Sequence, residues 1–367
     1  MLRRLFLLFI FPLLGVSGVL SEDKDPLIIK HADSFEYLDR GGVKIQKLVG
    51  HVSIQYKDAH IQSDTAIHYY TLDKIDFIRR VRLDYDAQCI YADRLVYYKK
   101  DTLVEARGNV ALVDSVKRVR ITGEEGTYSN VTQESRIWRD PVLTRADSLK
   151  GDTLKITAAF FTYSRKTRCA LAQDKVVVTQ GITRALCAQA EYDANGESVT
   201  LRKKPVVYRD KDVLKGDTLT LGFRKDTLDC IRVFGSAEAY LFSENKEHPD
   251  STLRTHVTGD TLFVFLKNDS ISRMELYGHG LVKSCRAGDS LNVDRLSGKQ
   301  LYFFFSGNRP DSAHITGNAE SVYFSRDNPK ERGRNETSGD SLDLYFNRDG
   351  ISRILARGGV RGIYYQE

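Results

Sequence analysis

The sequence predicts an all-β chain of stacked antiparallel strands with a repeat of about 30 residues. Three observations support this: a short motif that recurs along the chain, a turn motif with the same spacing, and apolar residues that alternate with period two. The composition agrees, because 19 Tyr and 17 Phe suit strands, whereas only two Met and seven Pro suit neither a helical bundle nor a disordered chain.

The recurring motif is Gly-Asp-(Ser/Thr)-Leu. Looser copies around Asp33, Asp64 and Asp93 are separated by 31 and 29 residues, and Asp260 and Asp289 are again 29 residues apart. We interpret the motif as architectural: Gly makes a turn, Asp accepts hydrogen bonds from free N–H groups, Ser or Thr faces solvent and Leu enters the buried face. The five full copies are Gly151–Leu154, Gly216–Leu219, Gly259–Leu262, Gly288–Leu291 and Gly339–Leu342.

The second motif is a Gly or Pro turn followed by Val or Ala. Each copy is expected to place a residue with positive φ in a tight turn, after which a new strand begins. Two turn signals per repeat predict two or three short strands per repeat. The copies are Gly50-His51-Val52, Gly108-Asn109-Val110, Asp140-Pro141-Val142, Lys204-Pro205-Val206, Gly235-Ser236-Ala237, Gly317-Asn318-Ala319 and Gly358-Gly359-Val360.

Between these turn signals, apolar residues alternate as in half-buried strands, and no helical stripe is found after residue 25. The predicted inward residues are Val52, Ile54, Tyr56, Leu95, Tyr97, Leu219, Leu221, Phe223, Leu262, Val264, Leu266, Leu301, Phe303, Leu342, Leu344 and Phe346.

The N-terminus resembles a secretory signal peptide, predicted over residues 1–21. Arg3 and Arg4 precede an apolar run from residue 5 to 14, and small residues allow cleavage after Gly18 or Ser21. An uncleaved anchor helix is the alternative, although the run is shorter than the ~20 residues that span a bilayer. We therefore expect an exported protein with β-repeats at residues 27–242 that continue at 257–367.

Charge and cysteine content exclude several classes of protein. Without Arg3 and Arg4, 53 basic and 49 acidic residues give a net charge of +4, which is too small to indicate nucleic-acid binding. The five Cys have no zinc-site spacing, and we expect neither a metal nor a cofactor. Most are expected to be apolar strand residues; a Cys169–Cys187 bridge is the other possibility.

One motif copy suggests an enzyme. Ser290 in Gly288–Leu291, with Asp311 and His314 downstream, spells the pattern of a serine esterase family. That family has an α/β fold, and Thr153, Thr218 and Thr261 occupy the same position in the other copies. A nucleophile has no reason to recur as Ser or Thr, so we expect no enzymatic activity.

Together, the signal peptide and the repeats of Gly-Asn-Val, an alternating strand and (Ala/Gly)-Asp-x-Leu resemble the OstA family of lipopolysaccharide-transport proteins, which includes LptA, in its long Bacteroidetes-type form. The resemblance extends over most of the chain from about His31. The best local matches are Leu48–Tyr56 with Ile61–Tyr70, Cys89–Tyr98 with Arg107–Val113, and Gly259–Leu266 with Gly278–Val282.

The resemblance implies an open β-jelly-roll, or β-taco, whose inward residues line a hydrophobic groove for lipid acyl chains. It implies a periplasmic protein that binds lipopolysaccharide through lipid A and bridges the inner and outer membranes for outer-membrane assembly. Other lipopolysaccharide-transport proteins, or a second copy, would pair with edge strands near Leu27–Tyr37 and Ile351–Tyr365. The alternative is an exported β-solenoid scaffold or surface adhesin, whose core is filled by Phe303, Phe305, Tyr97 and Phe346.

Overall fold

The computed structural model describes residues 28–366 apart from 57–58, 86–87, 102, 130, 147–152, 244–251, 287–288, 290, 308, 326–332 and 348–349. The predicted signal peptide therefore lies outside the described residues. The all-β prediction is confirmed: the described chain contains 26 strands and one 3-10 turn, Tyr70–Leu72, and every register determined between strands is antiparallel. None of the helical structure in this part of the chain is long and apolar enough to cross a membrane.

The chain forms two compact units, residues 1–176 and 177–367. The sequence-based boundaries 27–242 and 257–367 stay predictions. Strands β1 to β13 are Ile28–His31, Ser34–Arg40, Val43–Tyr56, Ala59–Tyr69, Lys74–Tyr85, Gln88–Tyr98, Leu103–Asp114, Val119–Ser129, Glu134–Trp138, Val142–Ala146, Thr153–Thr157, Phe160–Ser164 and Cys169–Gln180. Strands β14 to β26 are Thr183–Asp193, Ser198–Arg202, Val206–Arg209, Asp212–Lys215, Thr218–Arg224, Thr227–Ser243, Leu253–Lys267, Ser270–Arg286, Asp294–Ser306, Arg309–Ser325, Gly333–Phe346, Ile351–Arg357 and Arg361–Gln366.

Many strands are long and bent, which corrects the prediction of short strands. In β3, Gly50 and His51 both have positive φ, yet pairing with β4 continues on both sides of them. Two successive left-handed residues bulge out of the ladder and change the direction of the strand without ending it. We call such a pair a corner. The corners are Gly50-His51, Arg79-Arg80, Gly108-Asn109, Arg139-Asp140, Asp174-Lys175, Lys203-Lys204, Gly235-Ser236, Gly278-His279, Gly317-Asn318 and Gly358-Gly359.

Proline divides the bent strand at two corners. Pro141 separates β9 from β10, which both pair with β8, and Pro205 separates β15 from β16, which both pair with β14. Since Pro has no N–H to donate, the ladder is interrupted at these corners and resumes at the residue after the proline. The predicted positive-φ residues are thus confirmed, but they lie inside bent strands.

The Gly-Asp motif packs against the corner of a neighbouring strand. The backbone N–H of Asp217 donates to the carbonyl oxygens of Phe234 and Gly235, both at 3.0 Å. A Cβ placed on Gly235 would lie 2.2 Å from Asp217 Oδ2, so only glycine leaves room for the carboxylate. The same Asp-over-Gly contact recurs at the corners of Gly50, Gly108, Gly278 and Gly358. The motif is architectural, as predicted. However, the glycine with positive φ is the corner glycine of the neighbouring strand and not the glycine of the motif.

One of the five full motif copies, around Asp289, lies in a loop and not at a corner. Leu219, Leu262 and Leu342 are fully buried beside corners, but Leu291 is 90% exposed in the loop before β22. There Asp289 accepts hydrogen bonds from the N–H groups of Leu291 and Asn292. The prediction that this leucine enters the buried face is wrong, because an Asp followed by Ser or Thr also closes an ordinary loop turn.

The copy at Gly151–Leu154 precedes a corner contact made by a different residue. Gly151 and Asp152 lie outside the described residues, and Leu154 is buried. The N–H that meets the corner carbonyls of Gln173 and Asp174 belongs to Ala159. Spacing between such contacts is 31 and 29 residues from Asp33 to Asp64 and Asp93, as predicted. In the second unit the spacing between successive contacts is 43, 39 and 41 residues, from Asp217 to Asp260, Lys299 and Asp340.

In both units, residues before and after a corner turn apolar side chains to one interior. In β3, Leu48 precedes the corner, Val52 and Ile54 follow it, and all three belong to one buried cluster. The two halves of each bent strand therefore form two walls that meet at the corners. This arrangement is the open β-jelly-roll expected from the sequence.

The corner contact predicts an unequal effect of alanine at two glycines. Both Gly235 (φ 71°) and Gly307 (φ 63°) are left-handed, but nothing lies within 4 Å of a Cβ on Gly307. We expect Gly307→Ala to cost about 1–2 kcal/mol of unfolding free energy. Gly235→Ala should cost at least about 1 kcal/mol more, because the Asp217 carboxylate must move. Urea unfolding of both variants measures the difference, and equal costs would contradict the contact.

Candidate functional site

In the second unit, burial decreases with distance from the corners. We define two walls by the strand ends at which their halves meet. Wall A consists of the strand halves whose ends flank residues 225–226, 268–269, 307–308 and 347–350. Wall B consists of those whose ends flank residues 210–211, 244–252, 287–293 and 326–332. Wall A carries three inward rows. The row beside the corners is 0% exposed and contains Leu219, Val233, Leu262, Leu276, Leu301, Ile315 and Leu342.

The next two rows lead to the mouth between the walls. The second row is at most 4% exposed and contains Leu221, Ile231, Val264, Met274, Phe303, Ala313 and Leu344. In the third row, Leu266 is still buried, whereas Ile271, Phe305, Pro310, Phe346 and Ile351 are half-buried. Side chains therefore fill the space next to the corners and leave space near the mouth.

That space is a cavity of about 330 Å³ lined by both walls, which we call the trough. Its floor is apolar and consists of Met274, Val282 and Leu296, which are 2%, 5% and 8% exposed. Its sides include Phe303, Phe305, Phe346 and Ile351 from wall A and Leu241, Thr255, Ser284 and Tyr323 from wall B. An apolar cavity with a few polar groups is the usual form of a small-molecule site.

The rim of the trough is polar and charged. Thr255 and Ser284 hydrogen bond to each other at 3.0 Å on wall B. Asp212 accepts a hydrogen bond from the N–H of Phe242, and burial raises the pKa of this carboxyl. Arg286, Asp294 and Arg309 complete the rim. The site can therefore hold an apolar group inside and a polar group at the mouth.

Arg209 connects the two walls at one end of the trough. Its side chain, from wall B, is 8% exposed, donates to the backbone carbonyl of Asp269 on wall A and lies 3.9 Å from Asp269 Oδ1. Burial lowers the pKa of Arg209, but an arginine stays protonated at neutral pH. Gln180 Nε2 makes a second connection between the walls, 2.7 Å from the carbonyl oxygen of Asp226. The walls are thus joined at this end, beside a buried cation.

The structure places the sequence-predicted site residues mostly in packed core. Phe303 and Phe346 line the trough. Tyr56 belongs to β3, but its side chain lies outside the described part. The remaining predicted residues are buried: Val52, Ile54, Leu95, Tyr97, Leu219, Leu221, Phe223, Leu262, Val264, Leu266, Leu301, Leu342 and Leu344. Their inward orientation is observed, and their contact with a lipid stays a prediction.

Alternation alone could not identify several trough residues. Met274, Val282 and Leu296 continue the inward rows of their neighbours, but no turn motif adjoins them in sequence. Arg209 lies next to a turn, where a charged residue is ordinarily solvated. The trough residues could have been sought near strand ends. The inward residues closest to the ends of the strands are also the ones closest to the mouth between the walls.

The first unit has a filled interior. Large aromatic side chains occupy it: Phe77, Tyr97 and Phe161 are at most 2% exposed. Phe77 and Tyr97 belong to one cluster with buried aliphatic residues such as Leu48, Val81 and Leu95. This self-filled core matches the alternative weighed from the sequence, for this unit only.

A buried histidine–lysine pair lies in the first unit. His68 is 5% exposed, its Nε2 is 2.7 Å from Lys99 Nζ, and its ring contacts the ring of Tyr70 at a tilt of 40°. Burial, followed by the positive charge of Lys99, lowers the pKa of His68 to about 4. At neutral pH His68 is therefore uncharged and accepts a hydrogen bond from the Lys99 ammonium.

The residues that suggested an esterase are not brought together by described contacts. Ser290 lies outside the described residues. His314 hydrogen bonds through Nδ1 to Asp343, which also pairs with Arg357. The absence of enzymatic activity stays a prediction. All five cysteines are free thiols, so the possible Cys169–Cys187 bridge is not formed.

Residues 24–122 match the model of a family described as OstA-like protein. Among solved structures, the chain is similar to LptH, the LptA-homologous periplasmic component of the lipopolysaccharide transport device of Pseudomonas aeruginosa. The identity is 20% and the TM-score 0.27, over 33% of this chain and 75% of that chain. No curated protein matches the sequence. The family match lies in the first unit, whereas the trough lies in the second.

The depressed pKa of His68 predicts an acid-sensitive stability. Between pH 6.5 and about 4 the unfolded chain binds a proton at this residue and the folded chain does not, so stability falls as the pH falls. The contribution of His68 reaches about 3 kcal/mol at the acid end. We expect His68→Gln, which cannot be protonated, to flatten this slope in urea unfolding measured across that range. An unchanged slope would contradict the assignment.

Proposed function

We propose that this chain, whose residues 24–122 match the OstA-like family model, is a periplasmic lipopolysaccharide-binding protein that shields acyl chains in the trough during outer-membrane assembly. The observation that carries the proposal is the trough itself, with its apolar floor and charged rim. Because the trough lies in the second unit, the proposal locates lipid contact in that unit.

The apolar floor suits an acyl chain. Each CH₂ group removed from water contributes roughly 0.8 kcal/mol, so a lipid gains affinity for every methylene that enters. The volume of about 330 Å³ is at the low end of the ~300–1,000 Å³ typical of ligand sites, so the trough as observed accommodates part of a lipid. The half-buried row of Phe305, Phe346 and Ile351 offers further apolar surface at the mouth.

The rim suits an anionic head group. Arg286 and Arg309 lie at the mouth, and guanidinium groups bind phosphate through paired hydrogen bonds. Acidic residues also lie there, including Asp294, whose Oδ1 accepts the N–H of Phe324. A lipid with its chains inside and its phosphates at the mouth, such as lipid A, matches both surfaces.

Edge strands provide a means to bridge the inner and outer membranes. In the described chain, β1 and β2 pair only with β3, and β25 and β26 pair only with β24. Unpaired backbone groups at a sheet edge accept a strand from another chain. The exposed apolar residues at these edges include Ile29 and Phe35 at one end and Ile363 and Tyr364 at the other. We propose that other lipopolysaccharide-transport proteins, or a second copy, pair there.

The second candidate function is an exported β-scaffold or surface adhesin. The filled interior of the first unit favours it, because Phe77, Tyr97 and Phe161 leave no need for a ligand. The two candidates differ in what they predict for the trough: a scaffold has no ligand there.

Neighbouring residues Phe304 and Phe305 provide a matched test of lipid contact. Phe305 lines the trough, whereas Phe304 is 44% exposed on the outer face of the same strand. A photo-crosslinking amino acid at position 305 should form adducts with lipopolysaccharide in cells, and one at position 304 should not. Adducts detected by immunoblotting at neither position, or equally at both, would contradict the trough as the lipid site and favour the scaffold.

Edge pairing predicts a loss of association when the edge becomes charged. Phe35 is 59% exposed on β2, so Phe35→Lys should leave folding intact and oppose strand pairing. We expect the self-association constant from sedimentation velocity to fall by about tenfold or more, which corresponds to ~1.4 kcal/mol. Val116→Lys, in an exposed turn between β7 and β8, is the control. Equal effects of both variants would exclude this edge as the contact.

A further inference from the structure

Three metal-binding side chains converge at the first corner. His31 Nε2 lies 3.1 Å from Asp33 Oδ1, and His51 Nδ1 lies 3.0 Å from Asp33 Oδ2. All three donor atoms lie within 4.8 Å of one another. The residues come from β1, the link before β2, and the corner of β3, so the pairing of β1 and β2 with β3 brings them together.

Other corners show which part of this cluster is architectural. A side chain at the second corner position contacts the neighbouring Asp at several corners: Asn109 contacts Asp93, and His279 contacts Asp260. The His51–Asp33 contact is the same feature. His31 is additional, because the residue two positions before Asp260 is Thr258. The corner contact therefore explains one histidine and leaves the second without an architectural role.

We propose that His31, Asp33 and His51 bind a divalent transition metal, with Zn²⁺ the best match. Two imidazole nitrogens and a carboxylate oxygen are a donor set typical of zinc with an open fourth position for water. Bond lengths of ~2.0–2.2 Å place two ligands of a tetrahedral ion roughly 3.3–3.5 Å apart. The observed separations of 3.0 and 3.1 Å, each to a different oxygen of Asp33, are within a few tenths of an ångström of this value, and all three donor atoms lie within 4.8 Å of one another.

The local chemistry is compatible with ion entry. Asp33 is half exposed, and an exposed aspartate is ionised at neutral pH. Each histidine must present a lone pair at the nitrogen that faces Asp33, which requires its proton to move to the other ring nitrogen or to solvent. The side chains of His31, Asp33 and His51 are 58%, 51% and 76% exposed, so an ion and its water can reach them.

A bound ion would connect β1 to the corner of β3. Residues Ile28–His31 pair only with β3 in the described chain, and all four are exposed. The ion would therefore order this edge strand. The inference is independent of lipid binding and concerns the first unit alone.

Titration calorimetry with ZnCl₂ on the untagged chain tests the site. We expect one ion per chain, and we expect His31→Ala to weaken binding at least tenfold. Loss of a partner that only orients a ligand already costs about 10–100-fold. His31 is exposed on an edge strand, so its replacement should not affect folding. His279→Ala, which removes the corner histidine that has no second histidine nearby, is the matched control and should leave Zn²⁺ binding unchanged.

A designed gain of binding makes the test sharper. Thr258 occupies the position at the corner of β21 that His31 occupies at the corner of β3. His31 pairs with Ser53, which is two residues after His51. Thr258 pairs with Leu281, which is two residues after His279, and Thr258 precedes Asp260 by two residues, as His31 precedes Asp33. Thr258→His should therefore add a second Zn²⁺ per chain, detected by calorimetry and native mass spectrometry. Wild-type affinity no higher than that of His31→Ala would overturn the proposal, as would a stoichiometry unchanged by Thr258→His.

Discussion

At five of the ten corners, a contact between an aspartate and a left-handed glycine of the neighbouring strand holds the bend on which the architecture depends. The glycine permits the positive φ that bends the strand, and its missing side chain makes room for the carboxylate, as at Gly235 and Asp217. The aspartate N–H also satisfies the corner carbonyls, which the bulge removes from the ladder. Because each corner is fixed by the strand beside it, successive bent strands bend at equivalent points. The two walls follow from this alignment.

The same constraint explains where the trough lies. Walls that meet at a corner are closest there, so leucines such as Leu262 and Leu301 fill the space and are fully buried. The separation between the walls grows toward the mouth. Side chains there still point inward, but those of one wall no longer reach those of the other. Phe305 and Phe346 are half-buried for this reason. In this architecture a cavity remains where the two walls are too far apart for their side chains to fill the space between them.

The corner also provides positions for chemistry that the walls do not need. The residue after the glycine is outside the ladder and exposed, and it is asparagine at two corners, Asn109 and Asn318, and histidine at two others, His51 and His279. Where a second histidine approaches the same aspartate, as His31 does, an architectural contact becomes a candidate metal site. One copy of a repeated structural motif can therefore become a candidate metal site without any change in the other copies.

The sequence by itself determined the all-β class, the repeat, the inward faces and the resemblance to the OstA family. These depend on short-range patterns: alternation, glycine at positive φ, and an aspartate beside a small residue. It did not distinguish a corner from a turn, because Gly50-His51 satisfies the same local signal whether the chain reverses or bends. It also gave Leu291 the same role as Leu262, since an identical tetrapeptide serves a loop and a corner.

Only the tertiary structure decided which inward residues line open space and which residues meet across the walls. Arg209 and Asp269 are 60 residues apart, and His31 and His51 are brought together only when β1 pairs with β3. Such contacts depend on the register and separation of strands that are distant in sequence. Local propensity carries no information about those distances, which is why the strands were predictable and the trough was not.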